Sequence, residues 1–144
     1  MRGMLLDKYI SIRRMNEMVS SSKIIPISSN IVIRGSFWKI LNRYVLGQSM
    51  FDGTEMKAYM KLYAAGNIIN SGDVLEINIY NRTTRQFILS TSLQITQTNT
   101  QIVESGNIPI PDNDSLVWIM ARLNGTSYGV LDTVQINLFQ QMEV

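Results

Sequence analysis

The sequence predicts an all-β protein, an antiparallel two-sheet sandwich of the jelly-roll kind preceded by an N-terminal amphipathic arm. Three observations predict it. Apolar and polar residues alternate with a period of two over several stretches, most cleanly from Met56 to Ala64 and from Leu75 to Tyr80. Turn-forming clusters interrupt these stretches at roughly 8–12-residue intervals. No helical pattern lies between them to make the crossovers that parallel strands require. About eight strands result, a number that suits a jelly roll.

The arm comes first, over residues 1–23, with the sandwich domain over 24–144. Met1, Leu5, Tyr9, Ile12, Asn16 and Val19 recur at helical spacing, with Met4, Met15 and Met18 on or beside the stripe. Tyr9 to Arg13 reads equally as a short strand. Ser20-Ser21-Ser22 then reads as a linker. Ile24 to Ile27 and Ile31 to Arg34 are short β-branched runs, the first carrying a proline, Pro26, that belongs on a sheet edge. Ser36 to Leu46 alternates in part, which puts Trp38, Ile40, Tyr44 and Leu46 on one face and Lys39 and Arg43 on the other.

Gly47 to Thr54 is turn-like. In the stretch that follows, Met56, Ala58, Met60, Leu62 and Ala64 face one way, and Lys57, Tyr59, Lys61 and Tyr63 the other. Asn70 to Asp73 turns the chain, and Leu75, Ile77 and Ile79 then alternate with Glu76, Asn78 and Tyr80. Asn81 to Thr84 is a hairpin tip leading into Gln86 to Leu89, and Thr91 to Val103 supplies one or two half-buried strands. Gly106 to Asp114 is a loop. Ser115 to Leu123 is nearly continuous in apolar residues and reads as a central strand buried on both faces. After a turn at Asn124 to Ser127, the last strand runs from Tyr128 to Phe139, with Val134, Ile136 and Leu138 inward and Gln135 and Asn137 outward.

Composition narrows the chemistry. The chain of 144 residues suits one domain. It contains neither Cys nor His, which removes disulfides, thiolate and imidazole zinc sites, and the Ser-His and Cys-His nucleophile arrangements. Polarity is carried by Asn, Gln, Ser and Thr rather than by ions, since only 17% of residues are charged. Neutral hydrogen-bonding groups cost less to bury than ions, so this mixture suits subunit contacts. Residues 1–23 hold five basic and two acidic side chains, a net of +3 within a total of +2, so the positive excess is N-terminal. No stretch reaches the roughly 20 apolar residues of a membrane span. Asp7 cuts short the apolar start of a secretory signal. The expected location is a virion assembled from protein made in the host cytoplasm, or otherwise the cytoplasm.

The carboxylates that could pair for glycoside hydrolysis are Asp52 with Glu55, Glu76, Glu104, and Asp112 with Asp114. Most stand at turns or strand ends, where such side chains accept backbone hydrogen bonds. The loop Pro111-Asp112-Asn113-Asp114-Ser115 groups oxygen ligands but lacks the spacing, glycine and final glutamate of an EF-hand. The sequence therefore predicts a non-enzymatic protein with no cofactor.

Two features point to binding. The face Lys57, Tyr59, Lys61, Tyr63 interleaves cations with aromatics. Such a face can stack on bases beside neutralised phosphates, stack on sugar rings, or form a protein interface; it can also be an ordinary solvated strand face. The arm presents Leu5, Tyr9 and Ile12 beside scattered charges too sparse for strong phosphate binding. Its apolar, methionine-bearing stripe fits another subunit better than nucleic acid or an anionic membrane.

An arm, a serine-rich link and an antiparallel sandwich in this order resemble the single jelly-roll subunits of small viral capsids and virion decoration proteins. The resemblance is architectural and spans the chain, without a diagnostic motif, and the arm lacks the dense arginine of many capsid proteins. It implies a shell or decoration subunit that contacts copies of itself or other virion proteins through sandwich and arm. Jelly rolls also host glycan-binding modules. The alternative is thus a small carbohydrate-binding module using Tyr59, Tyr63 and Trp38.

Overall fold

The computed structural model describes residues 22–51, 56–89 and 91–142, with the side chains of residues 56, 141 and 142 excepted. Most of the arm, including Leu5, Tyr9 and Ile12, lies outside the described residues, as do Asp52 and Glu55. Among the described residues ten strands form: β1 (Lys23–Arg34), β2 (Lys39–Leu46), β3 (Met56–Ile68), β4 (Val74–Asn81), β5 (Gln86–Phe87), β6 (Leu93–Ile95), β7 (Gln101–Glu104), β8 (Ile108–Pro109), β9 (Ser115–Asn124) and β10 (Tyr128–Met142). A 3₁₀ turn, Gln48–Met50, follows β2.

Every pairing among them is antiparallel. Sheet A runs β1-β10-β3-β7, with β8 also on β3; sheet B runs β2-β9-β4-β5, with β6 also on β4. Counted by position rather than by segment there are eight strands, four in each sheet, and successive strand pairs divide between the sheets. This is the jelly roll the sequence predicts.

The alternation that predicts β3, β4 and β10 is realised side chain by side chain. Ala58, Met60, Leu62 and Ala64 of β3 are buried, as are Leu75, Ile77 and Ile79 of β4 and Val134, Ile136 and Leu138 of β10. They meet Ile119 and Leu123 of β9 between the sheets. Full burial of each such aliphatic side chain contributes about 1.5–3 kcal/mol relative to exposure. Pro26 lies on edge strand β1, as its missing N–H requires. The two runs around it join into one strand, with a bulge between Pro26 and Ser28 and Asn30 at φ 49°.

Side chains close the seams where the ladders stop. Asn42 Nδ2 donates to the Ile27 carbonyl at 3.1 Å and the Tyr44 hydroxyl to that of Pro26 at 3.1 Å, tying β2 to β1 across the sandwich. Between β7 and β8, Ser105 N donates to Leu62 O at 2.9 Å and Leu62 N donates to Ser105 Oγ at 2.9 Å. The hydroxyl replaces a strand carbonyl, and β3 keeps its hydrogen bonds across the break.

One expected alternation fails. In β2 the register slips between Ile40, opposite Met120, and Asn42, opposite Ile119. This bulge at Leu41 turns the strand over. Trp38 and Ile40 consequently face outward together with Arg43 and Val45, while Tyr44 and Leu46 face the core. Strand β9 is central in sheet B as expected, but it is not buried evenly on both faces. Its outward Leu116, Trp118 and Arg122 are half-buried, and a layer of side chains rather than a third sheet covers them.

Candidate interaction faces

The outer face of sheet A holds the cation–aromatic row. Lys57, Tyr59, Lys61 and Tyr63 all point outward from β3 and are half-buried. Strand β10 sets their neighbours: Tyr59 lies opposite Phe139, Lys61 opposite Asn137 and Tyr63 opposite Gln135. The Tyr59 and Phe139 rings stack at 6.0 Å, and Gln135 Nε2 donates to Asn137 Oδ1 at 3.1 Å. On the other flank Tyr63 faces Glu104. Beyond this centre the sheet carries exposed aliphatics at both edges, Ile24 on β1 at 63% and Ile102 on β7 at 62%.

The outer face of sheet B gathers a second cluster that no single stretch of sequence displays. Arg43 of β2 and Tyr80 of β4 lie opposite Trp118 of β9 from its two sides, and Tyr80 lies opposite Phe87 of β5. Tyr80 meets Phe87 edge-on at 5.1 Å and Trp118 at 6.0 Å. The guanidinium groups of Arg43 and Arg82 stand 5.7 and 5.6 Å from the Trp118 ring centre, and that of Arg122 stands 4.4 Å from the Trp38 ring centre. Trp38 also meets Phe87 at 5.4 Å. Phe87 belongs to a strand three places from β2, on the order of 14 Å away. Trp38 is therefore laid across the sheet, and the outward-facing Met120 and Asn78 between are buried.

Beside Trp38 sits Glu76, the buried carboxylate of this face. Its Oε1 accepts from Arg122 Nε at 2.9 Å and from Asn124 Nδ2, and its Oε2 accepts from Ser92 Oγ at 2.6 Å. Burial alone would raise this carboxyl, but the hydrogen bonds from Ser92 and Arg122, the Arg122 charge and the Asn124 amide together hold it below the usual carboxylate value. A depressed carboxyl stabilises the fold above its unfolded pKa, and the contribution is lost as pH falls through the folded value. Glu76→Gln is thus expected to cost about 2 kcal/mol at pH 7. The deficit should shrink below pH about 4, where the unfolded carboxyl takes up a proton. Urea unfolding of both proteins at pH 7 and pH 3 checks this, and a deficit that does not change with pH would contradict it.

The other described carboxylates do structural work or stand apart. Asp73 accepts from Thr126 N and Ser127 N at 3.2 and 3.1 Å and holds the β9–β10 turn. Asp114 accepts from Ser49 Oγ at 2.6 Å. The loop of residues 111–115 lines an open groove of about 520 Å³ with the β4–β5 tip. Among the described residues no group of three or more acidic side chains converges to hold a metal ion. Trp38 lies on the opposite outer face from Tyr59 and Tyr63, so the three aromatics do not form one platform.

Arg122 was the signal available for the second cluster, since it is the charge that interrupts the apolar run of β9. The members of the cluster come from β2, β4, β5 and β9 and the residues beside them, and only the sheet order brings them together.

No protein-family model matches the sequence, and no curated protein matches it. Solved structures do. A chain of the T13 particle of infectious bursal disease virus superposes with a TM-score of 0.57 at 9% identity, over 82% of this chain and 30% of that one. The VP2 subviral particle of the same virus gives 0.55 at 9% identity, over 86% and 34%. The fold is that of viral capsid jelly rolls. This chain spans about a third of the length of those capsid proteins, and at such identity the likeness is one of fold alone. A CBM36-1 domain of a multidomain xylanase from the hindgut metagenome of Trinervitermes trinervoides gives a TM-score of 0.47 at 6% identity, over 82% and 96%. That likeness is too slight to bear on function.

Proposed function

We propose that this chain is a non-catalytic assembly subunit of a virion shell or of its outer decoration, joined to copies of itself through the outer face of sheet A and through the segment that precedes β1. The observation that carries the reading is the composition of that face. Exposed Ile24 and Ile102 flank a centre of Tyr59, Tyr63, Phe139, Gln135 and Asn137, in which aromatic and uncharged polar groups predominate. Exposed apolar side chains mark contact surfaces, and Tyr and Phe are enriched where such contacts are fully buried. Lys57, at the end of the row, suits the rim, and Lys61 lies within the centre between Tyr59 and Tyr63, opposite Asn137. A capsid-type jelly roll supports the same reading, because the occupant it suggests is a second copy. Strand β1 begins at the edge of this face, with Lys23 opposite Leu138 and Ile24 opposite Asn137.

Ile24→Lys with Ile102→Lys places charge at two exposed positions that the core does not use. The double variant is expected to keep the wild-type thermal midpoint while its solution mass falls. Removal of residues 1–22 is expected to leave a folded, smaller species. An unchanged mass in both would overturn the proposed contacts. A monomer that binds glycans and loses them on Tyr59→Ala with Tyr63→Ala would instead favour the sugar-binding alternative.

A further inference from the structure

The face of the molecule opposite the proposed subunit contact is built differently. Its rings are covered by cations: Arg43 and Arg82 flank Trp118, and Arg122 lies on Trp38. Covered rings offer little to a sugar, whose recognition needs a bare aromatic plane, and what reaches solvent is guanidinium. Glu76, the carboxylate within the cluster, is taken up by Arg122, Ser92 and Asn124. Arg43 and Arg82 are exposed, and Arg85 is exposed in the same β4–β5 tip as Arg82.

Two rings of this part of the fold keep exposed surface: Phe37, next to Trp38 in the chain, and Phe87, which also packs on Trp38 and Tyr80. Phe37 is 90% exposed, and Phe87 is 41% exposed. Guanidinium forks pair with phosphate oxygens in two-pronged geometry, and uncovered aromatic faces stack on unpaired bases. We infer that the outer face of sheet B is a binding site for single-stranded nucleic acid, in which Arg43 and Arg82 hold phosphates beside Trp118 while Phe37 and Phe87 stack on bases. The sparse charges of the arm gave no reason to expect this. The site exists because the β2 bulge, the β4–β5 tip and the central strand β9 bring separate arginines to one side of one sheet. The inference does not depend on the shell reading.

The test is fluorescence anisotropy of a labelled oligothymidylate of about 16 nucleotides, the upper end of the usual length bound by one such module, titrated with the full chain. Contact with three phosphates, one each through Arg43, Arg82 and the neighbouring Arg85, predicts a log–log salt slope of about −2, so that binding weakens more than tenfold between about 50 and 200 mM salt. Arg43→Ala with Arg82→Ala should remove about 1.4 from that slope and most of the low-salt affinity. Phe37→Ala, at a position outside the core, should weaken binding about fivefold through lost stacking. Lys23→Ala, beside Phe51 in sheet A, removes a cation elsewhere and should leave binding unchanged. Circular dichroism and solution mass confirm that each variant remains folded and assembled. Absence of oligonucleotide binding at low salt would overturn the inference. Equal affinity of wild type and the arginine variant would overturn it as well, as would capture of heparin without capture of the oligonucleotide.

Discussion

Gly66→Ala is expected to destabilise the protein by about 3 kcal/mol, at the top of the range for overpacking a well-packed site. A Cβ at this position would sit 2.2 Å from the Val130 carbonyl oxygen and 3.1 Å from Leu131 Cα. Both obstacles are backbone of β10, the strand that holds β1 on one side and β3 on the other. Neither can swing aside as a side chain would. The register between β3 and β10 shifts between Leu131 and Thr133, just across from Gly66, so the close approach belongs to the bend in the sheet. Such a loss corresponds to a fall in melting temperature of about 10 °C for a domain of this size. Gly106→Ala is the matched control, because nothing lies within 4 Å of its added Cβ, and surface changes of that kind stay within about 0.5 kcal/mol. Equal midpoints for the two variants in urea would show that β3 and β10 do not approach as described.

Gln48→Ala is expected to cost about 2–3 kcal/mol, since it removes the partner of two part-buried backbone groups, Ala58 N and Ile110 O, at once. The Gln48 amide serves as a strand residue in a place where no strand runs. Its Oε1 accepts from Ala58 N at 3.0 Å, and its Nε2 donates to the carbonyls of Ala58 and Ile110, each at 3.1 Å. Its own N–H donates to Pro111 O at 2.9 Å. One side chain thus binds the start of β3 to the segment that follows β8. Gln48→Glu separates the donor from the acceptor: its carboxylate would face two carbonyl oxygens. Its stability should therefore fall as pH rises from about 4 to 7, because the carboxyl is held protonated in the fold and its pKa is raised there. Chemical unfolding at both pH values reads this out, and a glutamate variant as stable as wild type at pH 7 would refute the role given to Nε2.

Most of the fold was legible in the sequence, for a physical reason. Each of β3, β4 and β10 separates a core from an outer face, so two media imprint a period of two on Ala58 to Ala64, Leu75 to Tyr80 and Val134 to Leu138. The tip at Asn81 was legible because its side chain builds the turn locally, accepting from Thr83 N and Thr84 N. The facing of Trp38 was not legible. It depends on the bulge at Leu41, which pairing with β9 imposes from the other end of the chain. The even burial expected for β9 failed for a related reason. Its outer face is covered by Trp38 and by arginines from other strands, and a run such as Leu116 to Ala121 cannot distinguish that cover from a second layer.

The two interaction faces divide in the same way. Lys57, Tyr59, Lys61 and Tyr63 sit on one strand, so their shared face could be read directly, although Phe139 and the flanking Ile24 and Ile102 could not. The cluster on sheet B draws Tyr80, Phe87, Trp118 and Arg122 from three strands and Trp38 from the residue before β2. No window of sequence holds them together. Only the strand order β2-β9-β4-β5 does.

The proposal of an assembly subunit is tested most directly by the absolute solution mass of the full chain, measured by light scattering after size exclusion. The account predicts a discrete oligomer or a closed particle, a symmetric multiple of the 16.4 kDa chain, that becomes smaller when Ile24 and Ile102 are both changed to lysine. A stable 16.4 kDa monomer at high protein concentration would contradict it.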